Sequence, residues 1–235
     1  LSESEVKEKF MKRLGGAIRN ACTDILNRNK SACIDPELLI QDAEFPYEKT
    51  LESFEYGKVL SLSRDKTVEL SQNGYIDRKE TILMIGRPGL GKTHLAIALG
   101  TEACKRGYPV KYFTASRLVN ELLEAEKELS INRFMKQLER YELLVIDNLG
   151  YTLLTERGAS LLFEVIDNCY EQSSVIVASN LEFAHWTDAL INLDITEAIL
   201  DRLVHHCHLL EFRGRSYRTR QHRTKIKKDG KTHKG

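Results

Sequence analysis

The sequence predicts an α/β fold: a five-stranded, mostly parallel sheet between helices, with a short helical region ahead of it. Three observations lead there. From Thr81 onward, apolar strand runs alternate with amphipathic helices, the rhythm of parallel strand–helix units. Several of those runs are apolar without interruption, as strands buried on both faces must be. The stretch GRPGLGKT, Gly86 to Thr93, fits GxxxxGK[ST] and sits between a strand run and a helix pattern, the setting in which that motif acts.

The elements follow in order. Residues 1–44 are polar and mixed, with apolar spacing that suggests one or two amphipathic helices. Residue 1 is Leu rather than Met, so this helical region is expected to be truncated. Residues 45–80, opening after the break at Pro46, read as a linker with short helices. The core is expected over residues 81–218. TILMIG is its first strand, Thr93 to Lys105 a helix with Leu95, Ala96, Ala98 and Leu99 on its apolar side, and Gly107 the stop. Val110 to Phe113 is a strand, Ala115 to Glu128 and Ile131 to Arg140 are helices, and LLVID is a third strand. Ser160 to Glu171 is a helix, SVIVAS a strand, Thr196 to His205 a helix, and HLLEF the fifth strand. Residues 219–235 read as a flexible basic tail.

A chain of 235 residues with 42% hydrophobic and 29% charged content suits a globular core with a small appendage. No apolar run reaches the roughly 18–20 residues that span a bilayer, and no secretory signal is visible. Five scattered cysteines without a CxxC pair argue against a disulfide framework and for the cytoplasm. The run His205, His206, Cys207, His208 contains metal-ligand types, but neighbouring residues do not share a face and no second pair completes a tetrahedron. Net charge is +1, yet from Arg213 onward there are ten Lys/Arg against one acid, Asp229, which leaves the rest of the chain at −8. A basic tail on an acidic body points to a polyanion, most simply nucleic acid.

The chemistry-bearing residues cluster around the Gly-rich loop. Gly86, Arg87, Pro88, Gly89, Leu90 and Gly91 let backbone N–H groups wrap phosphates at a helix N-terminus. Lys92 can reach the β- and γ-phosphates and Thr93 can ligate Mg²⁺, with His94 next in the same helical turn; the spacing and the lysine exclude a dinucleotide fingerprint. Asp147 ends the strand expected to lie beside that of the Gly-rich loop, and is the second candidate ligand for magnesium. Asn180, closing SVIVAS, can orient an attacking water. Arg202 can reach a neighbouring subunit's nucleotide, or else pair with Asp201 or Glu197 in its own chain. ATP and Mg²⁺ are the expected cofactors.

FPYEKTLESFEYG, GRPGLGKTHLAIALG, LLVIDNLGY, SNLEF-x-x-W, and AILDRLVHH with GRSYR stand in order between about Phe45 and Arg218. In this arrangement the chain resembles the IstB-like insertion-sequence ATP-binding proteins, kin of the DnaC-type helicase loaders within the AAA+ ATPases. The resemblance implies a transposition helper that binds ATP, forms homo-oligomers on double-stranded DNA and recruits or stimulates a transposase. It gives Arg202 the finger position and Asn180 the sensor position. It also suggests that Asn132, Arg133 and Lys136, on one stretch of the Ile131–Arg140 helix, face DNA.

Two residues depart from the family pattern. Asn148 stands where a second acid, Glu or Asp, is usual, and Cys169 where many relatives have Arg before the residue matching Tyr170. An amide can position a water but cannot take its proton, so ATP hydrolysis is expected to be slow. Three alternatives share parts of the pattern: a helicase loader, an ATP-clamped DNA-binding module with negligible hydrolysis, and a small kinase, which would need an Arg-rich lid that the core does not offer.

Overall fold

The computed structural model describes residues 35–59 and 61–214. Most of the expected N-terminal helical region, the GRSYR block beyond Gly214 and the basic tail lie outside them. Helix α1 (Pro36–Ala43), a 3-10 turn (Tyr56–Lys58), α2 (Arg64–Ser71) and α3 (Gly74–Asp77) precede β1 (Thr81–Gly86). Then come α4 (Lys92–Lys105), β2 (Val110–Thr114), α5 (Ala115–Lys127), α6 (Ile131–Leu138), β3 (Leu143–Leu149), α7 (Glu156–Cys169) and β4 (Ser174–Ser179). A 3-10 turn (Phe183–His185), α8 (Trp186–Leu190), α9 (Leu193–His205) and β5 (Cys207–Phe212) complete the described chain.

The five strands form one sheet in the order β2-β3-β4-β1-β5, with every pairing parallel. This corrects one expectation. The strand carrying Asp147 does not neighbour the strand that leads into the Gly-rich loop; β4 lies between them, pairing Ile82 with Ile176 on one side and Val145 with Ile176 on the other. Strand order is set by how crossovers stack across the sheet, and an apolar run carries no record of its neighbour.

Alternation along the strands divides the core between two faces. Ile82, Met84, Tyr112, Val145 and Ile176 face α4 and the helices that precede β1. Leu83, Phe113, Leu144, Ile146 and Val177 face α5, α7 and α9. Residues 45–80 are built into the first face: Phe54, Leu70, Tyr75 and Ile76 are buried in that cluster. Gly100 of α4 admits the Phe45 ring, which a Cβ there would meet at 2.8 Å.

Helix boundaries follow local chemistry. The Thr155 hydroxyl accepts from the Gly158 N–H at 3.1 Å, so α7 starts at Glu156 rather than at Ser160. Gly158 in that first turn weakens the local helix signal but allows Val119 of α5 to approach. At the far end, Glu171 takes a positive φ of 57° and α7 stops at Cys169. The edge of β5 is tied down: Val59 forms an antiparallel bridge with Gly214, and the Ser61 hydroxyl donates to the Glu211 carbonyl and accepts from the Arg213 N–H at 2.9 Å.

Candidate nucleotide-binding site

The loop Gly86–Gly91 leaves the C-terminal end of β1 and enters α4 with Gly89 at φ 80° and Gly91 at φ 97°. The left-handed backbone at Gly91 lets the chain double back into the helix, and Phe54 closes over it: a Cβ at Gly91 would lie 3.0 Å from the ring. Lys92 is the first residue of α4 and is only 6% exposed. Its ammonium donates to the carbonyls of Gly86 and Arg87, the latter at 3.0 Å. The charge is thus held against the loop whose N–H groups would receive phosphates.

A cavity of about 480 Å³ opens over this loop. Pro88 to His94 form its floor, and Asn148 and Asn180 reach it from the ends of β3 and β4. The remaining wall comes from Tyr47, Lys49, Ser53, Phe54 and Glu55, and from Tyr151. The sequence reads this segment as linker; in the structure it lines the cavity, and the aromatic spacing in FPYEKTLESFEYG is the signal for that. His94 points toward the same segment rather than only toward phosphate space. Its Nε2 donates to the Thr50 carbonyl at 3.0 Å and lies 3.1 Å from Ser53 Oγ, and its ring meets Phe54 edge-on at 5.3 Å. Burial pushes the His94 pKa below its ordinary value.

Asp147 is 1% exposed, inside β3 rather than at its end, because the strand runs on to Leu149. Its Oδ2 accepts from the Tyr112 hydroxyl at 2.9 Å and its Oδ1 from the Asn148 N–H at 2.8 Å. The β3–β4 register shifts between Ile146 and Leu149, and within that irregularity Asn148 adopts φ 60° and is exposed. Asn is among the few residues with a side chain that adopt this conformation readily. As a donor set for magnesium, the Thr93 hydroxyl and Asp147 carboxylate supply the hard oxygens that ion selects.

Arg202 lies elsewhere. Its Nε donates to Asp167 Oδ1 at 2.9 Å and one terminal nitrogen to Asp201 at 3.3 Å, and its guanidinium lies over the Phe163 ring at 5.4 Å. It shares a shallow depression with Thr81, Val175 and His206, at the end of the sheet where β1 and β4 begin. Nearby, Tyr170 and His205 hydrogen-bond at 2.9 Å, while His208 pairs with Glu80 at 2.9 Å, so these histidines turn to separate partners. Asn132, Arg133 and Lys136 are exposed on α6, whose Ile131, Phe134, Met135 and Leu138 face the core.

Residues 23–225 match the family model described as IstB-like ATP binding protein. The chain is 38% identical over 192 residues to the insertion sequence IS5376 putative ATP-binding protein of Geobacillus stearothermophilus, covering 82% of this chain and 76% of that protein. It is 36% identical over 187 residues to the insertion sequence IS21 putative ATP-binding protein of Pseudomonas aeruginosa, covering 80% and 71%. Among solved structures, AMPPCP-bound DnaA from Aquifex aeolicus superposes with a TM-score of 0.60 at 27% identity, over 72% of this chain and 51% of that one. The chain therefore spans about half the length of that DnaA. The DnaC helicase loader superposes with a TM-score of 0.57 at 22% identity, over 74% and 98%, a likeness of fold alone. The architecture is that of an AAA+ P-loop NTPase.

Proposed function

The chain belongs to the IstB-like ATP binding protein family, and from that premise we propose that it is an ATP- and DNA-binding helper of transposition. The observation that carries this reading is the cavity in which a Gly-rich loop, a buried lysine and the Tyr47–Glu55 wall converge. The loop N–H groups and Lys92 hold the β- and γ-phosphates, and the aromatic wall holds the base. Thr93 and Asp147 hold Mg²⁺, which neutralises phosphate charge. Asn180 and Asn148 face the γ-phosphate space and orient water.

Arg202 acts across a subunit boundary. In its own chain it sits beside the first residue of β1, while the phosphate loop begins at the last, roughly 17 Å along the strand. Its own nucleotide is out of reach. Subunits stacked along double-stranded DNA bring each Arg202 to the next nucleotide, and Asn132, Arg133 and Lys136 with the basic tail supply phosphate contacts. The names of the relatives place them in insertion sequences, which supports a transposase as the partner that reads the assembly. One further reading has an observation behind it: with Asn148 at the cavity, ATP serves chiefly as a clamp between subunits and hydrolysis is slow.

The test is assembly on duplex DNA with ATP, with ADP and without nucleotide, followed by sedimentation and electron microscopy. ATP-dependent oligomers on DNA are expected. A monomer that ignores both ligands would remove the proposal.

A further inference from the structure

We propose that Tyr112 is a positioning residue for Asp147, fixing the carboxylate for the magnesium ion; the inference rests on the nucleotide and metal reading above. Four observations converge on it. The Tyr112 hydroxyl donates to Asp147 Oδ2 at 2.9 Å, with both residues buried. β2 and β3 pair Thr114 with Asp147 and Tyr112 with Val145, so the two side chains emerge on one face of adjacent strands, one step of the pleat apart. The other carboxylate oxygen is already bonded by the Asn148 N–H at 2.8 Å, so both oxygens are held from the protein side. The Tyr112 ring is itself wedged: Phe45 meets it edge-on at 6.1 Å, and Phe45 in turn fills the space left by Gly100 of α4.

Beside a carboxylate, which only accepts, the Tyr112 hydroxyl is the donor. A carboxylate that accepts one hydrogen bond on each oxygen keeps a lone pair on each for the hydration shell of the ion. It cannot rotate without breaking one of those bonds. Partners of this kind set the orientation of a metal-binding group, and their loss typically costs about 10–100-fold in metal affinity. Tyr112 touches neither phosphate nor metal, and its effect passes through Asp147.

The experiment is a Mg²⁺ titration of the affinity of the full chain for a fluorescent ATP analogue, in wild type and Tyr112→Phe. The phenylalanine keeps the ring against Phe45 and removes only the hydroxyl. The half-saturating Mg²⁺ concentration should rise about tenfold, with affinity in EDTA unchanged. In an Asp147→Asn background the same substitution should add nothing, because the two residues act as one unit. An unchanged Mg²⁺ dependence in folded Tyr112→Phe, or an equal effect in the Asp147→Asn background, overturns the inference. A wild type whose affinity ignores Mg²⁺ overturns the metal reading itself. Should Tyr112→Phe fail to fold, 3-fluorotyrosine placed at position 112 gives a ¹⁹F signal that should move when Mg²⁺ joins the nucleotide complex; a static signal overturns the inference as well.

Discussion

The two ends of the sheet are built on opposite plans. At the C-terminal end the ionic side chains are buried: Lys92 and Asp147 are almost wholly enclosed, each held by backbone or tyrosine partners, beneath a cavity of about 480 Å³. At the N-terminal end Arg202 is one-third exposed and bonded to two exposed carboxylates, Asp167 and Asp201. Surface pairs of that kind contribute about 0–1 kcal/mol, so Arg202 exchanges partners at little cost. The enclosed charges have fixed partners, whereas Arg202 is held by exposed ones. A nucleotide cavity lined within one chain and an arginine paired only at the surface are the two features the proposed assembly would join, one subunit's arginine at its neighbour's nucleotide.

Lys92→Ala should break the enclosed end altogether. Removing a charged donor to phosphate forfeits roughly 1.5–3 kcal/mol per hydrogen bond, so ATP affinity should fall at least a hundredfold, read with a fluorescent analogue. Unchanged affinity would remove the site assignment. Arg202→Ala should leave that affinity intact and lower DNA-stimulated turnover about a hundredfold, below the ceiling for fingers of about 10³–10⁵ because the starting rate is slow. Mixing Arg202→Ala with Lys92→Ala protein should restore part of the phosphate release, since some interfaces then pair an intact pocket with an intact arginine. Co-assembly without rescue would return Arg202 to a structural role.

Asn148→Glu tests the middle ground. The carboxylate should raise turnover about tenfold, a modest share of the roughly 10²–10⁴ that general-base help can give. The φ of 60° should also make the variant less stable by about 1–2 kcal/mol, seen as a lower Tm. A raised rate without loss of Tm would mean that the β3 irregularity relaxes around glutamate. The smallest effect belongs to His94→Ala. It removes the hydrogen bond that ties the Thr50–Phe54 segment to α4, at a cost of about 0.5–1.5 kcal/mol, or roughly a 2- to 13-fold loss of nucleotide affinity if the cost falls wholly on binding. Acid should mimic it. His94 is held neutral, with its folded pKa below the unfolded one, so this contribution is present above the unfolded value near 6.5 and is lost as pH falls through the folded value. A wild-type affinity that stays flat as pH falls from above the unfolded value until the fold itself is lost would separate His94 from the wall.

What could be read in advance followed the range of the interactions. GRPGLGKT announces its own backbone, because the glycines, the lysine and the helix that follows are contiguous, and the five strands stood out by their unbroken apolar runs. The place of β4 between β1 and β3 is not legible locally, since it depends on pairing between residues 31 apart on one side, Val145 with Ile176, and 94 apart on the other, Ile82 with Ile176. For the Tyr47–Glu55 wall the aromatic residues of FPYEKTLESFEYG are a local signal, but what they pack against is not legible there, because Phe54 meets His94 of α4 40 positions later. Tyr112 looked like one more apolar strand residue, and only the pairing of β2 with β3 reveals its hydroxyl's partner.

The strap that Val59 and Ser61 lay along β5 has a consequence for crowded conditions. An outermost strand with free amides is a template on which other chains can crystallise as cross-β ribbons. Here the stretch from Glu211 to Gly214 already spends part of its outward hydrogen-bonding capacity on the same polypeptide. Strand addition is opposed along that stretch, which would matter for the close packing of copies on DNA proposed above.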